Sequence, residues 1–192
     1  MEKISLGGEW KMVGNGYECT GNIPGSVYSF LLGSNLTDDP YYRENELKYL
    51  ELMNHDYVFS KKFDFERKFD DGRILLRCEG LDTLAEIFLN GNFVAATKNM
   101  HRKYEFDVSG YLNDGENEIK IVFRSPNNYI AKKYAKEPVF GTNDALKGFM
   151  HLRKAHCMFG WDWGARLPDA GIWRDISLIR ENSARLTDVR II

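Results

Sequence analysis

In the segment Tyr57-Val58-Phe59-Ser60-Lys61-Lys62-Phe63-Asp64-Phe65 the aromatics Tyr57, Phe59, Phe63 and Phe65 all fall on odd positions. Successive side chains of a strand point to opposite faces, so this spacing describes a strand that buries one face and wets the other. The pattern recurs in short pieces: Glu9 to Val13, Arg73 to Cys78, Ala85 to Leu89, Phe93 to Thr97, Lys103 to Val108, Glu118 to Arg124 and Trp173 to Ile179, with turn residues between them. Each one-sided strand needs an apolar partner surface. Two antiparallel sheets packed face to face, or the related jelly roll, supply it, and the expected fold is an all-β sandwich.

Asn90-Gly91 separates two of these strands, and both residues tolerate the positive φ of a type I′ turn, so Ala85 to Thr97 is expected as a hairpin. Helical signals are short. Ser26 is placed to cap Val27 to Leu32, Glu44 to Met53 carries leucines at helical spacing, and Asp144 is placed to cap Ala145 to Lys154. These are expected as excursions from a sheet core. A length of 192 residues suits one such domain, assigned to 1–182. After the polar break Glu181-Asn182-Ser183, Leu186, Val189 and Ile191 resume an alternating pattern, so 183–192 is either a final strand or the start of another domain.

A net charge of -2 and a pI near 6.1 offer no basic excess to neutralise a phosphate backbone or an anionic lipid surface, which argues against nucleic acid and membrane as partners. The opening residues contain no apolar signal region, and no stretch approaches the roughly 18 apolar residues of a membrane span. The expectation is a cytoplasmic protein, or one from which a signal has been removed. Cys19, Cys78 and Cys157 are odd in number and widely spaced, which points to free, mostly buried thiols rather than a disulfide framework or zinc site. His151 and His156, five apart, miss the spacing of paired helical ligands, so no metal and no cofactor is expected.

The densest chemistry is the run from Phe159 to Arg174, which holds three of the four tryptophans: Trp161, Trp163 and Trp173. Gly160 and Gly164 let the backbone turn tightly around Trp161-Asp162-Trp163, placing a carboxylate beside flat apolar faces. Sugars present hydroxyls at their edges and C–H patches on their faces, and this pairing suits them. The same residues also suit a plug at one end of a sandwich, with both indoles packed and Asp162 capping backbone N–H groups. In extended backbone Trp161 and Trp163 would face one way and Asp162 the other; they can serve one pocket together only on a turn.

The block Trp161-Asp162-Trp163-Gly164, followed by Gly171-Ile172-Trp173-Arg174, resembles the amino-terminal sugar-binding domain of family-2 glycoside hydrolases, and most closely that of β-mannosidases. Ile23-Pro24-Gly25-Ser26-Val27, Asp39-Pro40-Tyr41-Tyr42 with Asn45-Glu46, Glu79-Gly80-Leu81-Asp82-Thr83, Leu89-Asn90-Gly91 and Asn99-Met100 with Arg102 follow in that family's order, so the resemblance covers essentially the whole chain. Ala165 departs from it, standing where the family pattern usually continues Gly-Pro.

The resemblance implies a galactose-binding-like jelly roll joined in a longer polypeptide to immunoglobulin-like domains and a (β/α)₈ barrel. Both catalytic glutamates belong to that barrel, which needs about 250 residues and has no room here. It implies a retaining exo-β-mannosidase whose two carboxylates stand about 5 to 5.5 Å apart. This chain alone is then expected to be inactive and to hold no catalytic residue. Asp162 is expected to accept hydrogen bonds from hydroxyls of a terminal β-linked mannose, with Trp161 and Trp163 as pocket walls. Arg153, Lys154 and Arg166 flank the loop and read as ordinary surface cations, and Asp82 and Asn90 as residues that hold turns. A free-standing carbohydrate-binding module is the reading from another class, and β-galactosidase, β-glucuronidase and exo-glucosaminidase activities share this type of domain.

Overall fold

The structure, a computed structural model, describes residues 2–69, 71–182, 184, 186 and 189–191. The chain runs through β1 (Glu2–Ser5), β2 (Gly8–Gly14), β3 (Tyr17–Ile23), β4 (Gly25–Ser26), α1 (Val27–Gly33), α2 (Asn45–Leu52), β5 (Tyr57–Phe65) and β6 (Arg73–Cys78). It continues through β7 (Leu84–Leu89), β8 (Asn92–Lys98), β9 (Tyr104–Asp107), β10 (Gly115–Phe123), α3 (Pro126–Lys136), β11 (Gly171–Ile172) and β12 (Ile176–Glu181). A six-stranded sheet in the order β3-β2-β5-β10-β7-β8 faces a four-stranded sheet in the order β1-β12-β6-β9, and a short ladder joins β11 to β4. All the strand pairs of these sheets are antiparallel.

The period-2 pattern decides what lies between the sheets. Tyr57, Phe59 and Phe65 of β5, Ile119, Ile121 and Phe123 of β10, and Ile74, Leu76 and Cys78 of β6 are buried in one cluster with Ile176 and Leu178 of β12. Phe59 is fully buried and meets Phe30 and Phe123 edge to face, with ring centroids 5.0 and 5.3 Å away. Lys61 shares the odd positions of β5 but sits near its middle; its ammonium escapes the core by donating to the carbonyls of Gly7 and Glu9 at 3.0 and 2.9 Å.

The expected hairpin forms between β7 and β8, where Asn90 and Gly91 take φ of 51° and 80°. Asn90 also binds outward, donating to Tyr111 O and accepting from the Glu118 N–H, both at 2.8 Å. The same dipeptide chemistry at Asn15-Gly16, φ 48° and 77°, joins β2 to β3. Strand β3 is an addition to the expected strands: Glu18, Thr20 and Asn22 take its exposed positions, and the inward row is interrupted by Gly21, where a side chain would collide with the Phe30 ring at 2.8 Å. Ser26 caps α1 as its position suggests, accepting from the Ser29 N–H while Ser29 returns the bond.

Three expectations change. The helix expected over 145–154 is reduced to a 3₁₀ turn at Phe149–His151, because Gly148 adopts φ 84° and lies against the Ile130 carbonyl, where a Cβ would stand 2.6 Å from the oxygen. The helix of this region is instead α3, started by Ser125, which accepts from the Asn128 N–H, and by Pro126 in the first turn. The strand expected from Trp173 to Ile179 is divided: Gly171–Ile172 pairs with β4, and pairing with β6 begins at Ile176. The cysteines also differ from the expected burial, since Cys78 is buried, Cys19 half-buried and Cys157 exposed. The final strand considered over 183–192 falls largely outside the described residues; residues 184, 186 and 189–191 belong to no strand or helix. Among the described residues no helix is long and apolar enough to cross a membrane.

A second apolar cluster gathers Ile130 of α3 with Ala145, Phe149, Leu152 and Phe159. It forms the footing for the tryptophan run. Removing the central ring of the main core leaves a cavity that the two sheets cannot close: Phe59→Ala is expected to lower the unfolding free energy by about 3 to 5 kcal/mol. Chemical denaturation checks this, and a loss below about 1 kcal/mol would mean that the ring is not the packing centre described.

Candidate functional site: the tryptophan turn and its groove

The Trp161 N–H donates to Gly164 O and the Gly164 N–H to Trp161 O, both at 3.2 Å, closing a tight turn with Asp162 and Trp163 at its tip. The glycine before it is obligatory on two counts. Gly160 has φ 104°, and a Cβ there would stand 2.4 Å from Arg166 Cγ and 3.0 Å from Asp144 O. On the near side Phe159 is fully buried in the second cluster, and its carbonyl accepts from the Leu146 N–H at 3.0 Å. On the far side Arg166 forks onto Glu46 of α2, Nε at 3.0 Å and a terminal nitrogen at 2.6 Å. Both limbs are therefore tied to helical excursions, and the tip stands free between them.

Trp161 is 47% exposed and Trp163 77%, and Asp162 is exposed, with no hydrogen-bond or ion-pair partner for its carboxylate among the described residues. A buried plug with Asp162 as a backbone cap is not what forms. Trp163 lines a groove of about 620 Å³ together with Tyr41 and Pro40 of the α1–α2 connection, Leu32 of α1, and Ala165 and Leu167. Trp161 and Asp162 do not line it. Asp169 and Tyr28 also line the groove.

Asp169 accepts from the Tyr28 and Ala170 N–H groups at 3.2 and 2.7 Å and from the Ser26 hydroxyl, so it fastens the first turn of α1 to the end of the tryptophan run. The Tyr28 hydroxyl adds to the same seam, its one proton shared between Pro168 O at 2.7 Å and Tyr49 O at 2.8 Å. Burial pushes the Asp169 carboxyl up to about 6, against the opposing pull of those donors and of Lys154.

Two of the three flanking cations are not what the sequence suggests, while Arg153 is exposed as expected. Lys154 is buried, its ammonium paired with Asp82 and hydrogen-bonded to Asp169 O at 2.7 Å, and Arg166 is engaged by Glu46; neither meets Asp162. Asp82 therefore does more than hold a turn: it carries a buried charge and its backbone exchanges two 2.9 Å hydrogen bonds with Gly171. His151 and His156 each face a backbone carbonyl, of Glu137 and Leu152. No group of three or more His, Cys, Asp or Glu side chains placed to hold a metal exists among the described residues.

The sequence profile described as the glycosyl hydrolase 2 galactose-binding domain-like family matches residues 9–174. The chain belongs to that family. The β-mannosidase of Mus musculus is 35% identical over 193 residues and that of Capra hircus 32% over 194, each alignment covering 95% of this chain and 22% of the relative. The crystal structure of the β-D-mannosidase from Dictyoglomus thermophilum superposes with a TM-score of 0.92 at 35% identity, covering 98% of this chain and 24% of that one. The chain thus spans about a fifth of the length of the curated relatives it matches. It has the galactose-binding-like sandwich of that family, and no barrel is found among the described residues.

Tyr41 and Glu46 fall in a segment that carries the family resemblance, but no local signal places them beside the tryptophan turn, and none marks Asp169 as the group that fastens that run to α1. The raised Asp169 carboxyl sets a direction for stability. The folded state holds the proton between about pH 4 and about pH 6 where the unfolded chain has released it, so this group's contribution to stability falls as pH rises through that interval. Asp169→Asn keeps an acceptor for the Tyr28 and Ala170 N–H groups but cannot titrate. Wild type is expected to lose melting temperature relative to the variant between pH 4 and pH 6, with a constant difference above; thermal melts across that range decide it, and a flat difference would contradict the assignment.

Proposed function

We propose that this domain is the amino-terminal part of a retaining exo-β-mannosidase-like glycoside hydrolase, and that its tryptophan turn completes the pocket for a terminal β-linked mannose. The observation that carries the reading is the free carboxylate of Asp162 at the tip of a turn whose two indoles are exposed and whose limbs are anchored. An ionised carboxylate accepts strongly from sugar hydroxyls, and an indole offers its face to the C–H side of a pyranose. In the parent polypeptide the barrel supplies both catalytic carboxylates, one attacking the anomeric carbon and the other protonating the leaving oxygen before activating water. Asp162 orients the sugar for that attack, and Trp161 and Trp163 wall the pocket.

The immunoglobulin-like and barrel domains of the parent chain are the partners in this reading. Residues 183–192 begin the next domain, consistent with the exposure of Leu186, Val189 and Ile191. The setting is cytoplasmic, in keeping with three free cysteines.

A hydrogen bond to a charged group is worth about 1.5 to 3 kcal/mol. Asp162→Ala in the parent enzyme is therefore expected to lower kcat/KM for an aryl β-mannoside by about 10-fold to about 100-fold, with the melting temperature kept because the side chain is exposed. The isolated 192-residue chain is expected to hydrolyse no glycoside. A variant within twofold of wild type would remove Asp162 from the pocket, and useful affinity of the isolated chain for mannose would favour a free-standing binding module.

A further inference from the structure

Lys154 and Asp169 are the residues at which the tryptophan segment leaves the body of the domain and returns to it. The outgoing limb is held where Met100 N–H donates to Arg153 O at 2.9 Å, and the returning limb where Gly171 joins β4 and Asp82. Between these points the Lys154 ammonium reaches across, donating to Asp169 O at 2.7 Å and to the Asp82 carboxylate, while Thr83 donates its hydroxyl to the other Asp82 oxygen. The Lys154 side chain is completely buried and that of Asp82 is 6% exposed.

We propose that Lys154 is a positioning residue: its ammonium closes the neck of the loop 155–170 and so fixes where the Trp161-Asp162-Trp163 tip stands. A buried ammonium is costly unless its charge is paired and its protons are bonded; here the Asp82 carboxylate pairs the charge, and that carboxylate and the Asp169 carbonyl accept two of the three protons. A backbone carbonyl fixes its own chain, whereas a side-chain acceptor could swing away with its rotamer. The ion pair to Asp82 adds a second fixed point, because the Asp82 backbone is itself laddered to Gly171. The neck is thus closed by main-chain and buried contacts, while its tip is left exposed. The importance of this clamp for sugar contact rests on the reading of Asp162 given above, but its existence can be tested without sugar.

In the unmodified chain the clamp requires a Lys154 ammonium protected from solvent exchange and in NMR contact with Asp169 and Ala170 protons; a freely exchanging ammonium overturns the proposal. The double variant Lys154→Met with Asp82→Asn removes both buried charges at similar volume, so its melting temperature should stay near that of wild type. Amide exchange over 160–170 should then rise at least about tenfold while β5 and β10 keep their protection. Unchanged exchange over 160–170, or an equal rise through both sheets, overturns the proposal. A positive exchange result together with unaltered catalysis by Asp162→Ala in the parent enzyme would leave the clamp standing and remove only the sugar-contact reading.

Discussion

Each sheet of this domain has one apolar face, and water can be kept from both faces only if they cover one another. That constraint sets the register of every strand, since a slip of one residue would turn Phe59, Ile121 and Leu76 outward and bring Ser60, Lys120 and Arg77 into the core. It also determines what the rest of the chain is free to do. The helices α1 and α2 complete the main core with Phe30, Leu31, Tyr49 and Leu52, and the long excursion from α3 to β11 is left to lie at its margin. There Phe149, Leu152 and Phe159 build a small core of their own under α3.

The tryptophan turn gains its position from that second core and from charge. Phe159 anchors one limb, the Arg166–Glu46 pair the other, and the Lys154–Asp82 pair the neck. The contrast with Asp162 is instructive. Where Lys154 and Asp82 have exchanged water for each other, Asp162 keeps its full capacity to accept. In the reading proposed here, the hydroxyls of a sugar supply the donor that Asp162 lacks among the described residues.

In the reading proposed here, the chemistry belongs to the barrel of the parent polypeptide and this sandwich supplies architecture. Asp82 is spent on Lys154, and Asp169 on the α1 backbone. The sandwich contributes a shaped edge, with Trp163 and Tyr41 lining one groove. The relatives carry more than three-quarters of their length outside the matched region.

Much of this was legible in the residues. The odd-position aromatics of Tyr57 to Phe65, the Asn90-Gly91 turn and the Ser26 cap report local backbone preferences, which neighbours in sequence suffice to determine. The motif order identified the family, and with it the tryptophan turn. Asn15-Gly16 carried the same turn signal as Asn90-Gly91 and would have revealed β3. What the sequence could not contain is which distant groups meet. Lys154 looks like any surface cation until folding places Asp82 and the Asp169 carbonyl around it, and the helical signal of 145–154 yields because Gly148 must pass the Ile130 carbonyl. The sequence by itself determined most of the longer strands, their buried faces and the family. Only the tertiary structure decided the burial of Lys154, the pairing of Arg166 with Glu46 and the freedom of Asp162, because the energy of a charge depends on the solvent and partners that long-range packing gives it.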